Sequence, residues 1–199
     1  RGPRLGIVAD GGGHGVLAAD LAVAAGLAVP TLSAAAQQAV GSHLPATASV
    51  VNPVDMAGGG EQDFGSYGRV AQALLESGEL DAVLFTGYFG GYSTASAALG
   101  EQELASAQVM ADARDATGRA LLMHSMHFAA MPNQFLRQRE VPVYAATEDA
   151  IDRALSYATD IESHFPSWYS QSTRDSLSAY ALWVRALGGD RDAYRLRHR

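Results

Sequence analysis

Short runs of β-branched and aliphatic residues recur along this chain with helical patterns between them, and that rhythm limits the available folds more than any other feature. The runs are RLGIVA at 4–9, ASVV at 48–51, DAVLFT at 81–86, RALLMH at 119–124 and VPVY at 141–144. Helical patterns fall at 15–26, 33–42, 64–77, 93–117 and 131–139, and again from Thr147. Alternation of this kind builds βαβ units, whose strands must be parallel. The runs are apolar at nearly every position, as strands covered by helices on both faces are. The expected fold class is α/β, a doubly wound, mostly parallel sheet of about five strands.

That architecture is flavodoxin-like, and it is assigned to residues 3–156. From about Thr159 strand character is lost and aromatic residues become frequent, with a helical pattern from Thr173 to Leu187 stopped by Gly188 and Gly189. Residues 159–199 are therefore expected to form a separate helical extension, whose role the sequence leaves open.

Charge and composition exclude several classes of function. A net charge of −7 with no clustered basic face before residue 170 argues against a nucleic-acid partner. The longest apolar candidate, residues 16–29, is interrupted by Asp20, so no membrane span is expected. The absence of cysteine removes disulfides, thiol nucleophiles and thiolate metal sites, which fits a cytoplasmic protein. The chain starts at Arg1 with no signal peptide, which suggests a fragment.

Ligands of doubly wound sheets collect at the carboxyl ends of the strands, where three notable loops fall. The first, DGGGHG, contains Gly11, Gly12, Gly13, His14 and Gly15. Glycines let backbone amides approach a ligand, and the helix start behind them offers unpaired N–H groups to an anion. A dinucleotide motif is not met: Gly11 and Gly13 fit its first two glycines, but the third position is Val16. A Walker loop is excluded because the chain has no lysine. A phospho-receiver would need clustered carboxylates, and Asp10 stands alone after the first run. The plainer alternative is a tight turn under a close-packed helix, with His14 a neighbour of the edge rather than its chemical agent.

The second loop, TGYFGGYS, repeats the pattern: Gly90 and Gly91 free the backbone, and Ser93 or Thr94 can cap the following helix. In the third, NPVDMAGGG, Asn52 precedes Pro53 and should be extended, holding Asn52 and Asp55 in a set geometry. Asp55 has the alternative role of an N-cap. His124 and His127 are spaced i, i+3, but in a strand-to-loop segment that spacing does not make a metal site, and no metal ligand is assigned.

Taken in order, GIVADGGGHGVLAAD, LSAAAQQAV, LP, NPVDMAGGGEQD and DAVLFTGYFGGYS resemble the ligase-CoA, flavodoxin-like domain of NDP-forming acyl-CoA synthetases. That group includes ADP-forming acetate–CoA ligase and succinyl-CoA synthetase. The resemblance implies phosphoryl transfer between acyl phosphate, a histidine and a nucleotide, with the phosphohistidine held between helix starts of two flavodoxin-like domains. It implies that Gly90, Gly91, Tyr92 and Ser93 form a cradle. By the same resemblance, Gly11, Gly12, Gly13, His14, Gly15, Asn52 and Asp55 line the loop edge and help dock the partner domain.

The phosphorylated histidine of that group lies in a Ser-His-Thr-Gly context that none of the six histidines here has. The resemblance thus implies no catalytic residue in this chain, which would be incomplete alone. Its partners would be a CoA-binding, phosphohistidine-bearing domain and an ATP-grasp domain, in an oligomeric enzyme. CoA, ADP or ATP, and magnesium would be held on those other domains. The alternative is a non-catalytic module that binds CoA, a nucleotide or an anion, or that serves for docking.

Overall fold

The computed structural model of the chain describes residues 3–158. The expected helical extension at 159–199 lies outside the described residues. Five parallel strands form one sheet in the order β2-β1-β3-β4-β5. They are β1 (Leu5–Ala9), β2 (Val54–Asp55), β3 (Ala82–Gly87), β4 (Ala120–Ser125) and β5 (Val143–Tyr144). The helices are α1 (Gly12–Ala24), α2 (Ala34–Gly41), α3 (Gly59–Gln62), α4 (Gly65–Glu76), α5 (Ala97–Thr117), α6 (Met131–Gln138) and α7 (Thr147–Ala158).

Alternate strand residues build two cores, as the period of two along a strand requires. Leu5, Ile7, Ala82, Leu84 and Leu122 face α1 and α7. Val8, Val54, Val83, Phe85, Leu121, Met123 and Val143 face the other side, with Val40 of α2, Leu74 of α4, Met110 of α5 and Leu136 of α6. Helices on both faces make the sheet doubly wound. The chain runs from β1 out to β2 and then crosses back to β3, so the order reverses between β1 and β3. A crevice at the carboxyl ends of two such strands is where this architecture places ligands.

The strand read at residues 48–51 is displaced to Val54–Asp55. Asn52 explains the shift. Its Oδ1 accepts from the N–H of Ile7 at 2.9 Å, and its Nδ2 donates to the carbonyls of Leu5 at 3.1 Å and Pro30 at 2.9 Å. The side-chain amide thus pairs with the edge of β1 as a strand backbone would, leaving only Val8 and Ala9 to pair with β2. Residues 48–51 form instead a short antiparallel bridge from Ser49 to Asp55. The expectation of an extended Asn52 is also corrected. The Asn52–Pro53 peptide is cis and Asn52 has φ 91°.

Two helix starts differ from the sequence reading. Helix α1 begins at Gly12 rather than near residue 15, so the glycines are its first turn. Helix α5 begins at Ala97, after a 3₁₀ turn at Tyr92–Thr94, and its N-cap is Ser96. The hydroxyls of Ser93 and Thr94, expected to cap it, donate back to the carbonyls of Gly90 and Gly91, each at 2.6 Å.

Candidate functional site

Strand β1 ends at Ala9, paired in register with Thr86 of β3, so the turns that follow both strands emerge side by side at the sheet's carboxyl edge. Asp10 joins them. Its carboxylate accepts the backbone N–H of Tyr88 and the hydroxyl of Tyr67, which reaches it from α4. The approach is close because residue 87 is glycine, with φ 134°; a Cβ there would lie 2.5 Å from Asp10 Oδ2. Burial pushes the Asp10 carboxyl above its ordinary value, and the bonds from Tyr67 and Tyr88 oppose that shift. Burial, with Asp10 beside it, likewise raises the Tyr67 hydroxyl, so Tyr67 remains a donor.

At the start of α1, Gly11 is the N-cap and supplies no side-chain cap. The amides of His14 and Gly15 turn back to the carbonyl of Gly11 at 3.2 and 3.5 Å. Among the described residues those of Gly12 and Gly13 have no hydrogen-bond partner, and both glycines are exposed. A Cβ on Gly13 would meet nothing within 4 Å, whereas one on Gly12 would lie 3.0 Å from Asp55 Oδ2, so the helix start is open at Gly13 and bordered by that carboxylate at Gly12. Asp55, across from it, uses Oδ1 to accept the N–H of Ala57 at 2.9 Å. The side chain of Asn52 is turned to β1, as described above.

The loop after β3 is arranged differently. Gly90 donates its N–H to Oε1 of Glu103 and Ser93 to Oε2, both at 2.7 Å, and the N–H of Tyr92 lies near the same carboxylate. The N–H of Gly91 goes to the carbonyl of Tyr88 at 2.8 Å. Of the amides that the sequence offered to an outside anion, those of Gly90 and Ser93 are thus turned inward onto α5. Gly90 has φ 95°, and a Cβ on it would lie 2.5 Å from Asn133 Nδ2. Asn133, fully buried on α6, holds the loop through the carbonyl of Phe89 at 3.0 Å.

Aromatic rings cover the outside of this loop. Phe64 meets Tyr92 edge to face at 4.9 Å, Tyr92 meets Tyr88 at 5.0 Å, and Tyr88 meets His127 at 4.5 Å. His124, at the end of β4, points inward. Its Nδ1 lies 2.7 Å from the hydroxyl of Thr86 and 3.2 Å from that of Thr147. Burial lowers its pKa, with help from His14, whose ring centroid is 6.5 Å away.

Sequence reasoning passed over Glu103, Tyr67 and Asn133. A signal for Glu103 existed, since it shares the buried stripe of α5 with Gly100, Ala107 and Met110. A carboxylate on an apolar stripe must find internal donors. Among the described residues no three His, Cys, Asp or Glu side chains converge as metal ligands, and no helix is long and apolar enough to cross a membrane.

The family model of the ligase-CoA domain matches residues 5–151. Comparison with curated proteins gave no match. Among solved structures, PH0766 from Pyrococcus horikoshii OT3 is 25% identical with a TM-score of 0.66, over 81% of this chain and 36% of that one. The dinucleotide-forming acetyl-coenzyme A synthetase 1 of Ca. Korarchaeum cryptofilum, in its apo form, shares the fold at 21% identity and a TM-score of 0.58, over 80% of this chain and 36% of that one. The same protein in complex with phosphate and ADP aligns at 22% identity with a TM-score of 0.57, over 80% and 35%. The chain therefore spans about a third of the length of these structures.

Proposed function

The chain belongs to the ligase-CoA domain family, and from that premise we propose that it is one domain of an NDP-forming acyl-CoA synthetase that helps hold a phosphohistidine presented by a partner domain. The observation that carries this reading is the open start of α1. Two exposed, unpaired amides, Gly12 and Gly13, lie at the carboxyl edge where the strand order reverses. A phosphoryl group gains both from such donors and from the positive end of a helix. Partner domains account for the remainder of the enzyme, since the chain spans about a third of the structures it resembles. They would carry the phosphorylated histidine, CoA and the nucleotide with its magnesium, in a cytoplasmic enzyme.

Within this chain the residues only bind and orient. The α1 amides would meet the phosphoryl oxygens, and Asp10 would keep the two loops in fixed relation. The test is phosphoryl labelling of the enzyme reconstituted from this chain and its CoA-binding and ATP-grasp partners, with labelled acyl phosphate or ATP. Gly13→Val adds bulk where the fold has room for it. It should lower labelling about tenfold or more, the equivalent of losing roughly 1.4 kcal/mol of stabilisation; unchanged labelling removes the role.

One observation favours a second reading, a docking module without a phosphoryl contact: the loop after β3 presents rings to the outside while its amides face inward. Under that reading Tyr88→Ala weakens assembly with the partner domains while Gly13→Val leaves labelling intact.

A further inference from the structure

The backbone of residues 90–93 has the shape of an anion receptor, and an anion is already in it. Two N–H groups, from Gly90 and Ser93, donate to the two oxygens of one carboxylate, and the N–H of Tyr92 between them lies near it. Glu103 is fully buried, so no water competes for it. The carboxylate arrives from the second turn of α5, whose neighbouring residues Ala107, Met110 and Ala111 are themselves buried in the main core. Gly100, one turn earlier, packs against Ser93, so helix and loop are held at two points. On the other side of the loop, the N–H of Tyr88 is taken by a second internal carboxylate, Asp10.

Carboxylate and phosphoryl oxygens make the same demand on a ring of amides, namely convergent N–H donors and a compensating partial positive charge. A loop that has met this demand internally does not offer the amides of Gly90 and Ser93 to a second anion. That anion would also meet the charge of Glu103 at short range.

We infer that Glu103 is a positioning residue: it fills the receptor made by Gly90, Tyr92 and Ser93 and sets this loop as a rigid shelf beside the open start of α1. The inference rests on the phosphoryl-holding role proposed above for its functional meaning, because it assigns the phosphoryl contacts to Gly12 and Gly13 and the supporting role to the loop. What the loop then turns outward is the ring of Tyr88, packed on His127.

The test uses the 199-residue chain itself. Amide resonances of Gly90, Tyr92 and Ser93 and the thermal midpoint are followed in sodium formate against sodium chloride at matched ionic strength. The intact protein should be indifferent to formate. Glu103→Ala should lose several degrees, and formate, filling the vacated receptor, should restore most of that loss while moving the three amides together. Glu103→Gln, which keeps the shape and drops the charge, should shift the same three resonances, and Glu103→Asp should keep them nearer their original positions. Should the alanine variant fail to fold, the glutamine and aspartate spectra answer the question alone. Saturable movement of these amides in the unaltered chain with formate or inorganic phosphate overturns the inference, as do unmoved resonances in Glu103→Gln. None of these readings depends on phosphoryl labelling. Labelling sensitive to Gly13→Val with unmoved amides in Glu103→Gln removes this inference and leaves the proposed function; the reverse pattern removes only the proposed function.

Discussion

The hydroxyl of Tyr67 donates to the carboxylate of Asp10, tying helix α4 to the end of β1 across the mouth of the sheet. The same carboxylate takes the N–H of Tyr88, so a helix and both glycine-bearing turns share one acceptor. An asparagine at position 10 has one oxygen for two donors, and its amide group would face the other. Asp10→Asn should therefore cost about 2 kcal/mol, and Tyr67→Phe about 1 kcal/mol. The double variant should lose less than the sum by about 1 kcal/mol or more, because both changes remove one bond. Urea unfolding of the four proteins measures that coupling, and strict additivity would refute it.

Glycines in the two turns should respond oppositely to the same substitution. Gly13 lies in the first turn of α1 with nothing within 4 Å of a Cβ, so Gly13→Ala should be neutral or stabilise by about 0.5 kcal/mol. Gly90 has φ 95° and a neighbour, Asn133 Nδ2, 2.5 Å from its Cβ position. Gly90→Ala should cost about 2 kcal/mol or more. Thermal unfolding of the pair checks the contrast, and equal losses would contradict the geometry.

Asn52 acts as a clasp on β1 through bonds to Ile7, Leu5 and Pro30. Its removal leaves one backbone N–H and two carbonyls without their partner. Asn52→Ala should cost about 3 kcal/mol. Hydrogen exchange should quicken first at the amide of Ile7, which the clasp alone protects; exchange unchanged there would count against it.

His124 makes stability depend on pH in a definite direction. Its folded pKa lies below the ordinary 6.5 because burial disfavours the cation, with the charge of His14 adding to this and Glu148 opposing it. The neutral ring's contribution is fully present above 6.5 and is lost as pH falls from there through the lowered folded value. The thermal midpoint should drop across that window, and His124→Asn should flatten the drop. Asp10 and Glu103 act with the opposite sign: raised folded values stabilise the protein below the ordinary carboxylate range, and that gain is lost as pH rises through them. Calorimetry that finds the same slope with and without His124 would dismiss the assignment.

Periodicity alone determined the parallel, doubly wound sheet and the placing of both glycine turns at its carboxyl edge, because strand spacing and helix amphipathicity are local properties of the chain. The order of the loop signatures likewise identified the family. Tertiary structure decided which donors are open. Gly90 and Ser93 carry the same kind of N–H groups as Gly12 and Gly13, yet Glu103, ten or more residues away, claims the first pair and nothing among the described residues claims the second. It also decided that Asn52 takes a strand's place on β1. Hydrogen-bond partners brought together by folding are long-range facts, whereas a glycine-rich turn looks the same in sequence whether its amides face solvent or a buried carboxylate.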